Sequence, residues 1–164
     1  MNFSLHPYNK VPLWKNPHNK SFSMDFPIIE ANYSTEAEIY NEGIRIILDE
    51  MDDAHSKTTN VKAKMTGWHV STPTTNKLVD WIKKVIMEET DTPTTKYELV
   101  DSWFAHYNKG DYTDNHAHYP QLWSFVYFVK SPPDSAPLVF TTSQTAITAE
   151  QNRVVIVVCL IRLV

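Results

Sequence analysis

His116 and His118 are the side chains of this chain whose type and spacing most directly offer chemistry. In an extended segment alternate side chains share a face, so two imidazoles separated by one residue sit about 7 Å apart at their backbones and can converge on one ion. Neutral imidazole ligates zinc, copper, nickel and iron, so the chemistry on offer is metal binding. A chain with seven histidines also offers such a pair by chance, and a structural or surface role is the competing reading of both. Asp111, Asp114 and Glu150 are available as carboxylate ligands, although their settings read as solvated loops.

The pair lies between elements that could hold it. Before it, Tyr97, Leu99, Asp101, Trp103, Ala105 and Tyr107 alternate with Glu98, Val100, Ser102, Phe104 and His106, a period of two that predicts a long strand. A turn around Gly110 follows, over Asn108 to Asp111. After the pair, Leu122 to Lys130, Pro137 to Thr142 and Arg153 to Leu163 are strand candidates separated by turn signals such as Ser-Pro-Pro-Asp-Ser. Trp103, Trp123, Phe125, Tyr127 and Phe128 read as barrel core rather than a substrate platform.

Upstream, residues 1–33 are rich in Pro, Asn, Tyr and Phe without helical periodicity, and Met24 to Tyr33 is the best strand within them. Thr35 and Glu38 form a capping-box pattern, after which Ala37, Tyr40, Ile44, Ile47, Leu48 and Met51 recur at helical spacing. The spacing predicts a helix from Thr35 to about Ala54, with Gly43 kept for a close approach. Residues 55–75 read as a loop with one short strand, in which Trp68 and His69 serve as packing. Thr74 or Thr75 caps a second helix carrying Leu78, Trp81, Ile82, Val85 and Ile86 on one face, and the Asp91 to Thr95 run ends it.

A length of 164 residues, 42% of them apolar and 12% aromatic, predicts one domain over 1–164 with a real core. A formal charge of −4 and a pI near 5.9 lack the basic excess of nucleic-acid binders. The start lacks the apolar run of a signal peptide, and Val154 to Val164 is too short to span a bilayer as a helix. Cys159 is the only cysteine, which excludes an internal disulfide and a cysteine-cluster metal site. These features point to a cytoplasmic protein with neither nucleic acid nor membrane as a partner.

Trp103, Tyr107, Gly110-Asp111, His116-Ala117-His118, Ser124 to Val129 and Pro137 to Phe140 occur in an order that resembles the iron(II)- and 2-oxoglutarate-dependent oxygenases. The likeness is to the prolyl-hydroxylase-like type, especially those of T4-like marine phages, and it runs from about Tyr97 to Ile156. The resemblance implies an α+β fold, a double-stranded β-helix of the jelly-roll or cupin type behind two N-terminal helices. It implies a hydroxylase acting on a protein or small molecule in the host cytoplasm, with Fe(II), 2-oxoglutarate as cosubstrate and ascorbate as an optional addition. Carried over, His116 is the first metal ligand and His118 stands where relatives commonly have an aspartate. Tyr107 and Ser124 match strand positions that help hold 2-oxoglutarate.

The resemblance departs after Ile156. The family continues with Phe-Pro, a distal metal histidine and an Arg or Lys for the far carboxylate of 2-oxoglutarate, whereas this chain has no histidine after His118 and only Arg153 and Arg162 as late cations. The expectation is therefore a domain whose last strands are missing through a frameshift or early stop. Three readings stay open: the oxygenase, a non-catalytic remnant or binding module on the same scaffold, and a cupin-like metal protein using His116, His118 and a carboxylate without 2-oxoglutarate.

Overall fold

A computed structural model describes residues 3–5, 11–15, 21–24, 28–33, 36–51, 58–90, 97–118, 120–141 and 143–159. In chain order the elements are β1 (Phe3–Leu5), β2 (Val11–Lys15), β3 (Ser21–Met24), β4 (Ile28–Asn32), α1 (Ala37–Glu50), β5 (Val61–Lys62), β6 (Lys64–Met65) and α2 (Pro73–Thr90). There follow β7 (Ala105–His106), β8 (Tyr112–Thr113), β9 (Trp123–Tyr127), β10 (Leu138–Phe140), β11 (Thr145–Ile147) and β12 (Arg153–Val158). This is an α+β arrangement of two helices and several small antiparallel sheets, with no closed barrel among the described residues. The chain divides into two compact units, Met1–Thr35 with Ala117–Val164, and Glu36–His116.

In the first unit the largest sheet has the order β1-β4-β12-β9, antiparallel throughout. β12 is central, and its run Val154-Val155-Ile156 is almost wholly buried on both faces. That explains a continuous apolar stretch where a one-sided strand would alternate. Val155 and Val157 share a face with Ile28 of β4, and the β10–β11 hairpin covers that face with Leu138, Phe140 and Ile147. β12 is described to Val158; the expected continuation to Leu163, and Arg162, lie outside the described residues. β11 was not legible as a strand because three residues, Thr-Ala-Ile, are too short to establish a period.

The sheet carries one ion pair in a nearly buried setting. Arg153 Nη1 lies 2.9 Å from Glu30 Oε2, with side-chain exposures of 19% and 9%. The same guanidinium reaches Glu150 and donates to the Thr148 carbonyl at 3.3 Å. Asn152, at φ 66°, makes the turn into β12, and its carbonyl accepts the Tyr33 N–H at 2.9 Å. Asparagine tolerates this left-handed conformation better than most residues.

In the second unit α1 opens at Ala37, with Glu36 in the cap position making no side-chain cap bond, and closes at Glu50. Thr35, the expected cap, lies outside the described residues, as do Asp91 to Thr95. Tyr40 and Ile44 are buried from α1, and Leu78, Ile82, Val85 and Ile86 from α2, following the predicted rows; Val79, off the predicted row, is buried as well, and Trp81 is half-buried. Gly43 faces Thr74: a Cβ added there would meet Thr74 Cγ2 and Oγ1, both at 3.7 Å. α2 begins earlier than predicted, with Pro73 at its first position, where the missing N–H costs nothing. Thr72, rather than Thr74 or Thr75, is the cap.

The long strand expected over Tyr97 to Tyr107 is paired as regular sheet only at Ala105–His106, against Met65 and Lys64. The irregularity comes from the opposing segment. Thr66 N donates to Phe104 O at 3.0 Å and Val70 N to Ser102 O at 3.0 Å, so Gly67, Trp68 and His69 all stand opposite Trp103. A bulge of this kind breaks the ladder without ending the pairing. Beneath it, Val61, Ala63 and Met65 form a small core with Trp103 and Ala105. Among the described residues no helix is long and apolar enough to cross a membrane.

Candidate functional site

His116 follows a tight turn built from the Tyr-x-x-Gly-Asp run. Asp111 N donates to Asn108 O at 3.0 Å, Asn108 N donates back to Asp111 Oδ2 at 2.8 Å, and Gly110 takes φ 91° between them. A side chain at that φ is strained, which accounts for glycine there. β8 then pairs with β5 through Val61↔Thr113 and Lys62↔Tyr112, and the ladder runs on as Asp114 N donates to Asn60 O at 2.8 Å. Lys62 Nζ, which also donates to the Thr59 carbonyl, lies 3.6 Å from Asp114 Oδ2.

The carbonyl of Asp114, held in this way, lies 2.8 Å from His116 Nδ1. A carbonyl can only accept, so Nδ1 carries the proton and Nε2 the lone pair of the neutral ring. Metal-ligating histidines have this outer bond, which fixes the tautomer and the ring orientation. His116 is exposed, and His118 is half-buried with its carbonyl accepting Gln121 N–H at 2.8 Å. The boundary between the two units falls between these histidines in the chain.

The carboxylates considered as third ligands have local partners. Asp111 closes the turn, Asp114 bridges to Lys62 and Glu150 bridges to Arg153. Among the described residues no three His, Cys, Asp or Glu side chains are grouped as a metal site. His6, His18 and His55 lie outside the described residues.

Tyr107 and Ser124 belong to different units. The Tyr107 hydroxyl lies 2.6 Å from Thr113 Oγ1 and ties the two ends of the turn together. Ser124 sits on β9 opposite Val157, and its hydroxyl is hydrogen-bonded to the Cys159 thiol. Burial pushes that thiol above its ordinary pKa, and the Ser124 bond offsets part of the rise.

A second constellation stands on the bulge, joining Trp68 and His69, which the sequence pattern assigns to packing, with Asp101 of the alternating run. Asp101 Oδ1 accepts His69 N–H at 2.9 Å and Ser102 N–H at 2.8 Å, and lies 3.2 Å from His69 Nδ1. His69 has φ 62°, and its side chain is 75% exposed. Trp68 is 42% exposed and meets Trp103 edge-on, with ring centroids 4.8 Å apart and planes at 71°. The sequence signal was Gly67 before two large side chains, a bulge marker inside a strand pattern.

A scan against protein-family models and searches among curated proteins and solved structures find no match to this chain.

Proposed function

We propose that this chain carries an iron(II)- and 2-oxoglutarate-dependent oxygenase domain of the double-stranded β-helix type, in which His116 and His118 ligate the metal. The observation that carries the reading is the 2.8 Å bond between His116 Nδ1 and the Asp114 carbonyl, the kind of outer bond by which a metal-ligating histidine has its tautomer set. The ordered run Trp103, Tyr107, Gly110-Asp111, His116-x-His118 and Ser124 to Val129 supports the family reading. A four-stranded antiparallel sheet faced by the β10–β11 hairpin is compatible with part of such a scaffold.

The donor set fits in part. His116 and His118 would hold iron(II), which supplies the redox centre at which 2-oxoglutarate and oxygen react. The third ligand is not furnished by the described residues, so no step is assigned beyond the two imidazoles. Anaerobic addition of iron(II) and 2-oxoglutarate to the full chain should develop a visible charge-transfer band that His116→Ala abolishes. No band at saturating iron overturns the reading.

A second reading, a non-catalytic binding module, is favoured by a specific observation. The hydroxyls expected to hold 2-oxoglutarate are engaged elsewhere, Tyr107 with Thr113 and Ser124 with Cys159. Conversion of 2-oxoglutarate to succinate by the purified chain would rule this second reading out.

A further inference from the structure

Asp114 lies one residue past β8, and its carbonyl is the group that accepts from His116 Nδ1. The direction of that carbonyl depends on how the rest of Asp114 is held. Its N–H donates to the Asn60 carbonyl at 2.8 Å, and its Oδ2 lies 3.6 Å from Lys62 Nζ. Lys62 is anchored on its own side as well: Nζ donates to the Thr59 carbonyl, and the Thr59 hydroxyl accepts the Val61 N–H at 3.1 Å. Lys62 stands opposite Tyr112, so Asp114 is its diagonal neighbour across the strand pair, within reach of a long side chain. β5 and β8 have two residues each, a ladder too short to fix by itself the segment that follows β8.

We propose that Lys62 is a positioning residue for the metal ligand His116, acting through Asp114; the assignment rests on the iron reading of His116 given above. The Asn60 carbonyl holds the Asp114 N–H and the Lys62 ammonium holds its carboxylate, so the residue is restrained at two points and its carbonyl stays directed at the imidazole. Released from Lys62, Asp114 can turn, the bond to Nδ1 weakens, and the ring is no longer confined to the tautomer that leaves Nε2 as the ligating nitrogen. Lys62 itself touches neither the imidazole nor a metal. The ion pair is partly exposed, at 32% and 51% for the two side chains, so its influence is modest and is screened by salt.

The test begins with the metal-free full chain. Long-range 1H–15N spectra, recorded at an alkaline pH where an ordinary imidazole is neutral, should place the His116 proton on Nδ1. Lys62→Met and Asp114→Asn should each raise the share of the Nε2–H tautomer, and Lys62→Arg should keep the native one. Titration calorimetry with cobalt(II) at low salt should then show Lys62→Met weakening the metal by about two- to fivefold, the span open to a partly exposed ion pair, with Lys62→Arg restoring it. Combining Lys62→Met with Asp114→Asn should weaken the metal no further than either alone, because both remove the same contact. A native chain that takes up no cobalt(II) overturns the metal reading and the assignment built on it. An unchanged His116 tautomer in Lys62→Met overturns the positioning role itself, whatever the metal does, as does a loss of affinity that Lys62→Arg fails to recover.

Discussion

Thr72 and Thr75 cap the second helix reciprocally: Thr72 Oγ1 accepts the Thr75 N–H at 3.1 Å, and Thr75 Oγ1 accepts the Thr72 N–H at 2.8 Å. Two N–H groups at the helix start are thereby satisfied, with threonine taking the place usually held by Glu or Gln at the third helical position. Thr75 is buried, so its hydroxyl has little access to water as an alternative partner. Thr72→Ala should lower stability by about 1 kcal/mol in urea denaturation, and Thr72→Ser or Thr72→Asp should recover most of it. Equal loss in all three variants would contradict the capping role.

Gly43 lies within α1, where glycine costs about 1 kcal/mol relative to alanine. An added Cβ would reach Thr74 at 3.7 Å, an ordinary van der Waals distance. Gly43→Ala should therefore raise stability by roughly 0.5–1 kcal/mol, seen as a higher melting temperature. Gly43→Leu, which extends beyond that distance toward Thr74, should lose the gain.

Arg153 and Glu30 test what a nearly buried ion pair is worth here. Arg153→Met withdraws the guanidinium from Glu30 in a nearly buried setting and should cost about 3 kcal/mol. The double variant Arg153→Met with Glu30→Met should be less destabilised than Arg153→Met alone, because both desolvation penalties are removed together. A thermodynamic cycle in denaturant measures the coupling.

Cys159 should react slowly with iodoacetamide near neutral pH, since burial raises its thiol pKa and disfavours the reactive thiolate. Ser124→Ala removes the one opposing influence and should slow the reaction further. The linkage has a definite sign. A thiol pKa raised in the folded state contributes stability that is fully present below the unfolded value and is lost as pH rises through the folded one. The difference in stability between the native chain and Cys159→Ala should therefore shrink as pH is raised into the alkaline range.

Tyr107→Phe separates two roles for one hydroxyl. If its work is the bond to Thr113, the substitution costs roughly 0.5–1 kcal/mol of stability, as a partly exposed hydrogen bond should. Calorimetric titration with 2-oxoglutarate in the presence of iron(II) should then give the same affinity for both proteins. A large loss of affinity without loss of stability would return Tyr107 to the cosubstrate.

Local physics explains what was readable from sequence alone. The helical rows from Tyr40 to Ile44 and from Leu78 to Ile86 were legible because burial on one side of a helix writes a 3.6-residue period directly into the chain. Strands β9, β10 and β12 were legible as apolar or alternating runs bounded by turn formers, and Gly110 marked a turn that needs a positive φ. Tertiary structure decided the rest. A ladder between residues 64–70 and 102–106 has no local signature, because its register depends on a segment more than thirty residues away, and the bulge opposite Trp103 appears only once that register is set. The same distance hid the role of Asp101: nothing near it in the chain indicates that its carboxylate orients His69, since that bond exists only when two remote segments are brought side by side. The His-x-His pair was visible as spacing, but the protonated nitrogen of His116 was fixed by a carbonyl held in place by β5, a constraint that only packing supplies.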